Sequence, residues 1–152
     1  MSERFTVDTN ILIYSIDTSN RSKHERAAQL MALALKSDCV LLLQSLAEFY
    51  HATTRKALLG RAEAASLIGT WIELFPTAGY GDGAFKRALE WAAKRRSGLW
   101  DVLLIETAKD AGCRYILSED MQDGMDFGGL TVRDPFQGKA IPQDIVESLG
   151  LE

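Results

Sequence analysis

The sequence predicts an α/β domain, a mostly parallel central β-sheet flanked by α-helices. Short apolar, β-prone runs alternate with stretches of helical periodicity along the chain. One of those runs, Cys39-Val40-Leu41-Leu42-Leu43, is apolar throughout, as strands buried on both faces of a parallel sheet are. The length of 152 residues, 47% of them hydrophobic, fits one domain with a continuous core.

The elements follow in order. Phe5-Thr6-Val7 is a short strand, and Asn10 to Tyr14 starts a helix. From Ser22 to Lys36, the residues Ala27, Leu30, Met31, Ala34 and Leu35 recur at helical spacing on one face. Cys39 to Leu43 is the second strand. Helices are expected at about 45–57, 61–74 and 83–97. Another runs from about Asp101 to Ala111 and ends at Gly112, a residue suited to the left-handed turn past a helix. Arg114 to Leu117 is the third clear strand, and Leu130-Thr131-Val132 a last one. From about Arg133 onward Pro135, Gly138 and Pro142 break any regular pattern. The expected organisation is therefore a domain over residues 1–136 with a tail, 137–152, packed on it and carrying a short helix near Asp144 to Leu149.

Several classes are excluded. No apolar run approaches the roughly 20 residues of a membrane helix. The start, Met1-Ser2-Glu3-Arg4-Phe5, lacks the basic-then-apolar build of a signal peptide. Cys39 and Cys113 lie far apart without CxxC spacing, and read as buried free thiols of a reducing cytoplasm rather than a zinc site or a disulfide. The formal charge of −4 argues against simple charge-driven binding of nucleic acid.

The placement of the acids is more informative than their sum. Asp8 directly follows the first strand, Glu48 lies early in the helix after the second, Glu119 and Asp120 follow the third, and Asp101 opens the helix leading into it. Ligands of open α/β sheets collect at the carboxyl ends of the strands. Acids gathered there repel one another unless a hard divalent cation such as Mg²⁺ or Mn²⁺ neutralises them. Each acid also has a plain structural reading. Ser45-Leu46-Ala47-Glu48 fits a capping box, Asp101 fits a helix N-terminal acid, and Asp8 and Asp120-Met121-Gln122-Asp123 fit turn or cap residues. Capping, however, does not require acids to converge on one sheet edge.

The stretches Val7-Asp8-Thr9-Asn10-Ile11-Leu12, Gln44-Ser45-Leu46-Ala47-Glu48-Phe49, Trp100-Asp101-Val102-Leu103-Leu104-Ile105 and Tyr115-Ile116-Leu117-Ser118-Glu119-Asp120 resemble the successive motifs of PIN domains. The resemblance runs from residue 5 to about 136. Within that superfamily the single short domain is most similar to VapC-type toxins of bacterial toxin–antitoxin pairs. The resemblance implies a metal-dependent endoribonuclease whose acids match Asp8, Glu48, Asp101 and Asp120. It further implies that Asn10 and Ser118 support the acids, that the protein is a homodimer, and that a small antitoxin wraps it. Glu119 and Asp123 flank Asp120 and are alternatives for its role. On this reading Asp8, Asp101 and Asp120 hold one or two Mg²⁺ or Mn²⁺ ions, and Glu48 is a ligand or orients the attacking water. RNA would then be cut to a 5′-phosphate and a 3′-hydroxyl.

Other residues are weighed against this scheme. Glu48 and His51 have the Glu-x-x-His spacing of di-iron carboxylate sites, but no second copy exists. His51 therefore reads as a packed or capping-face residue, and His24 as an exposed one. Lys94-Arg95-Arg96, Arg55, Lys56 and Arg61 are candidate phosphate contacts. No aromatic-and-basic motif of the RRM or OB kind is present, so base stacking is not indicated. In helix 61–74, Ala65, Ile68 and Ile72, with Trp71 and Phe75 off that stripe, read first as core. Exposed apolar residues there or around Leu46, Phe49 and Tyr50 would suit an antitoxin groove.

Two rivals remain. A haloacid-dehalogenase-like phosphatase also has an Asp after its first strand, but needs a second two residues on, where Asn10 stands. A non-catalytic PIN-like module would be marked by loss of acids, and all four are present. Setting those four aside leaves acidic and basic residues equal in number. The net charge therefore indicates a cation and does not argue against RNA.

Overall fold

The computed structural model describes residues 2–94 and 98–152. Its elements are β1 (Phe5–Val7), α1 (Thr9–Tyr14), α2 (Arg21–Ala34), β2 (Leu41–Leu42), α3 (Leu43–Arg55), α4 (Arg61–Leu74), β3 (Thr77–Ala78), α5 (Asp82–Lys94), α6 (Leu99–Asp110), β4 (Tyr115–Leu117), β5 (Thr131–Arg133) and α7 (Gln143–Leu149). Strands β1, β4 and β5 form a parallel sheet, with Phe5 opposite Tyr115 and Ile116 opposite Val132. Strands β2 and β3 form a second parallel pair. A parallel bridge between Phe5 and Cys39, with the Val40 N–H on the Phe5 carbonyl at 2.9 Å, joins the two. The spatial order is thus β3-β2-β1-β4-β5. The chain leaves β1 toward β2 on one side and returns beside it as β4 on the other, so the switch point falls at the ends of β1 and β4.

Neighbouring residues of β4 serve opposite faces, as strand geometry requires. Leu117 joins Phe5, Val7 and Phe49 under α1 to α4. Ile116 joins Val40, Leu42, Leu104 and Val132 against α6. Ile141, Ile145, Leu149 and Leu151 enter the same core as β1. Gly112, at φ +85°, provides the turn from α6 toward β4.

Three expectations are corrected. The apolar run 39–43 is strand only at Leu41–Leu42; Leu43 already opens α3 and is 46% exposed. Strand β3 has two residues and no apolar pattern to announce it. In α4 the buried positions are Ala64 and Trp71, while Ala65 and Ile72 face outward. The cause is bulk: Trp71 packs edge-on against Phe49, ring centroids 4.9 Å apart, and that contact fixes the helix's rotation. Leu46 and Phe49 are core; Leu43, Tyr50, Leu58, Ile72 and Leu74 are exposed apolar residues of this region. Both cysteines are free and buried, and burial pushes their thiols upward. Among the described residues no helix is long and apolar enough to cross a membrane.

Candidate active site

A cleft of about 730 Å³ opens at the carboxyl edge of the sheet, and Asp8, Glu48, Asp101 and Asp120 all line it. Four different elements deliver them. Asp8 ends β1 and caps α1, its Oδ1 accepting the Thr9 N–H at 2.6 Å. Its Oδ2 accepts from the buried Ser118 hydroxyl at 2.8 Å. Burial lifts the Asp8 carboxyl above its ordinary range; the Ser118 and Thr9 bonds oppose this, and the charges of Asp120 and Glu48 reinforce it.

The next two residues each hold another acid. Thr9 Oγ1 donates to Glu48 Oε2 at 2.9 Å, and Asn10 Nδ2 donates to Asp120. Ser118 also accepts the Asp120 N–H at 3.2 Å, so one hydroxyl ties both loops together. Partial burial and the adjacent Glu119 charge raise the Asp120 carboxyl. Glu48 further accepts Gln44 Nε2 at 3.0 Å, and that same amide reaches the Trp100 carbonyl at 3.0 Å, linking α3 to the start of α6. Asp101 is the third residue of α6, where the helix dipole favours a carboxylate. Among the described residues its side chain has no hydrogen-bond partner.

The acids after β4 go separate ways. Only Asp120 faces the cleft. Glu119 turns to Lys23, at 2.8 Å, and to the Tyr14 hydroxyl. Asp123 binds Arg133 at 3.0 Å and the Asp134 N–H at 2.9 Å.

The capping-box reading of Ser45 and Glu48 is overturned. Helix α3 starts two residues earlier, at Leu43, so Ser45 lies inside it, buried and with its hydroxyl unpartnered. The histidines exchange their expected settings. His24 is half-buried, its Nδ1 2.8 Å from the Tyr14 carbonyl. His51 is exposed on the cleft wall, because α3 buries the Leu46–Phe49–Thr53 face and leaves the Glu48–His51 side outward. Lys56 lines the cleft as well, whereas Arg55 and Arg61 are simply exposed. Arg95 and Arg96 lie outside the described residues. Sequence reasoning missed Thr9, Gln44 and Trp100, all of which line the cleft.

The donor set is oxygen only, as a hard cation requires. Among the described residues no three His, Cys, Asp or Glu side chains already close on a common point. Ser118, Thr9 and Asn10 each hold one of the carboxylates through a neutral hydrogen bond. Mg²⁺ commonly binds through one or two carboxylates and keeps several waters, so an open set of acids fits it.

The PIN domain model matches residues 5–123, and the chain belongs to that family. A search of curated proteins finds no significant match. Among solved structures, the sarcin–ricin-loop-cleaving toxin VapC20 of Mycobacterium tuberculosis superposes with a TM-score of 0.61 at 16% identity, over 74% of this chain and 86% of that one. VapBC2 of Rickettsia felis, bound to a promoter DNA fragment, gives 0.62 at 13% identity, over 86% and 97%. DNA-bound VapBC of Salmonella typhimurium gives 0.62 at 16%, over 88% and 98%. At these identities the likeness establishes a shared fold.

Proposed function

We propose that this PIN-domain protein is a Mg²⁺- or Mn²⁺-dependent endoribonuclease, acting in the cytoplasm as the toxin of a toxin–antitoxin pair. The observation that carries the reading is the meeting of Asp8, Glu48, Asp101 and Asp120, from four elements, in one cleft at the switch point of the sheet. Asp8, Asp101 and Asp120 would hold one or two ions, with Glu48 as a further ligand or as the group that orients water. The bound ion supplies charge neutralisation at the phosphodiester and a more acidic water.

The chain's own residues do the rest. Ser118 and the Thr9 N–H keep Asp8 oriented, so its carboxylate does not swing away as ligands arrive. Asn10 does the same for Asp120. Thr9 and Gln44 each occupy one oxygen of Glu48 and leave lone pairs free to receive a proton from water. His51 and Lys56 offer donors to the departing strand's phosphates from the α3 wall.

An antitoxin partner is supported by the two VapBC complexes among the structural neighbours and by a toxin–antitoxin complex from Klebsiella pneumoniae. Tyr50, Ile72 and Leu74 provide exposed apolar surface for such a partner or for a second copy in a homodimer.

The decisive experiment compares induced wild type with Asp8→Ala, sequencing RNA 5′ ends, alongside RNA cleavage in vitro with Mn²⁺ or EDTA. New 5′-phosphate ends with wild type alone, abolished by EDTA, are expected. Cleavage that survives both EDTA and Asp8→Asn refutes the mechanism, and absence of Mn²⁺ binding by calorimetry indicates a non-catalytic module.

A further inference from the structure

Trp100 stands one residue before Asp101 and lines the same cleft. It is 62% exposed, the most open of the large exposed apolar side chains. It lies in the open first turn of α6, where Leu99 is half-buried and Asp101 exposed, whereas every residue from Val102 to Ala108 is buried. Exposure is not the rule for this chain's indoles: Trp71 is buried against Phe49 and Trp91 is half-buried. The backbone beneath Trp100 is fixed, because its carbonyl accepts the Gln44 amide that also holds Glu48. A broad indole face is therefore held open on a pinned helix start, beside the acids.

We propose that Trp100 is a base-stacking platform, holding one unpaired nucleobase next to the phosphodiester that the acids address. The inference rests on the nuclease reading above and adds to it a residue that positions the strand. A nucleobase is the flat, largely apolar surface that comes covalently joined to a phosphate, so cation-assisted phosphate binding and stacking act on one strand together. Bases in a duplex already have both faces covered. Trp100 can therefore stack only on an unpaired base, a contact that the sequence, lacking any aromatic-and-basic motif, does not announce. Met121 and Leu104 supply apolar lining in the same cleft, and the uncharged base faces can lie near the acids without repulsion.

The test is steady-state cleavage of a short fluorescent single-stranded RNA, and of the same RNA closed into a duplex, in Mn²⁺. Wild type is compared with Trp100→Ala and Trp100→Phe after equal melting temperatures show that both variants fold. Trp100→Ala is expected to raise KM about tenfold with little change in kcat, and Trp100→Phe to recover most of the loss. An abasic residue is then walked along the RNA. At one position it should cost wild type about the same factor and cost Trp100→Ala almost nothing, as two halves of one contact require. Wild-type KM and an unchanged abasic profile in Trp100→Ala overturn the proposal while leaving the nuclease standing. The same result with lost affinity for a co-expressed antitoxin assigns Trp100 to a protein contact and likewise overturns it. Wild type that cleaves no RNA removes the underlying reading and this inference with it.

Discussion

Ser118→Ala probes the cleft most directly, because one buried hydroxyl serves two loops. Its Oγ donates to the Asp8 carboxylate at 2.8 Å and accepts the Asp120 N–H at 3.2 Å. A hydrogen bond to a charged group contributes about 1.5–3 kcal/mol and a neutral one about 1 kcal/mol, part of which is offset by no longer burying the hydroxyl. The expected net loss at pH 7 in EDTA is about 2 kcal/mol, or a fall of roughly 4–8 °C in melting temperature for a chain of this size. The loss should depend on pH. In the folded protein the Asp8 carboxyl is held above its ordinary value of 3.8, chiefly by burial. A raised carboxyl pKa means that ionisation costs stability, so the fold weakens as pH climbs from the unfolded value through the folded one. Ser118 is the strongest contact holding that pKa down, and its removal enlarges the penalty. Once Asp8 is protonated, only neutral bonds are lost, and the deficit should shrink to about 1 kcal/mol. Urea denaturation of both proteins in EDTA at pH 7 and pH 3, below the ordinary carboxyl value of 3.8, measures this. An equal deficit at the two pH values, or one below about 0.5 kcal/mol at pH 7, refutes the reasoning.

Lys23→Met removes the ammonium that sits 2.8 Å from Glu119 and over the Tyr14 ring, and should cost about 1 kcal/mol at pH 7. Burial alone lifts the Glu119 carboxyl, but Lys23 and Tyr14 bring it below its ordinary value of 4.5. This contribution is therefore present above pH 4.5 and lost as pH falls through the lower folded value, so thermal melts of the two proteins should converge in acid. Lys109→Met strips the 3.1 Å partner from Glu106, which is 3% exposed, and leaves Arg87 at 3.7 Å as its remaining cation, so the loss in urea denaturation should be about 1.5–3 kcal/mol. The double variant with Glu106→Leu should recover most of that loss. Phe49→Ala empties a fully buried position against Trp71 and should cost about 3–5 kcal/mol, with a changed near-ultraviolet signal from the indole.

What the sequence disclosed depended on whether a signal was local. The end of α6 is written in Gly112, and the buried face of α2 in the spacing of Ala27, Leu30, Met31 and Ala34. The acids were legible because a charged residue directly after an apolar strand has few places to go but the sheet edge. Tertiary choices were not legible. Leu43 looks like strand, yet the chain turns into α3 there, and Ser45 imitates a cap from inside the helix. Rotation of α4 was decided by Trp71 meeting Phe49, a contact between helices that no single helix's periodicity contains. Exposure of Trp100 was hidden for the same reason: its helix is otherwise among the most buried in the fold.

The Asp-Thr-Asn tripeptide shows how a weak motif becomes a strong constraint. At a helix start, successive side chains leave the axis about 100° apart. Asp8, still in extended conformation, faces Ser118; Thr9 reaches Glu48 on α3; Asn10 reaches Asp120 after β4. Three adjacent residues thus supply one of the four cleft acids and hold two more, and only Asp101 on α6 lies beyond them. The donors are neutral, so they hold the carboxylates without cancelling their charge, and the repulsion from Asp120 and Glu48, which adds to burial in raising Asp8, persists. A lysine or arginine in place of Thr9 or Asn10 would relieve that repulsion and occupy the position of a cation. Neutral donors hold the acids in place and leave their negative charge available to a metal.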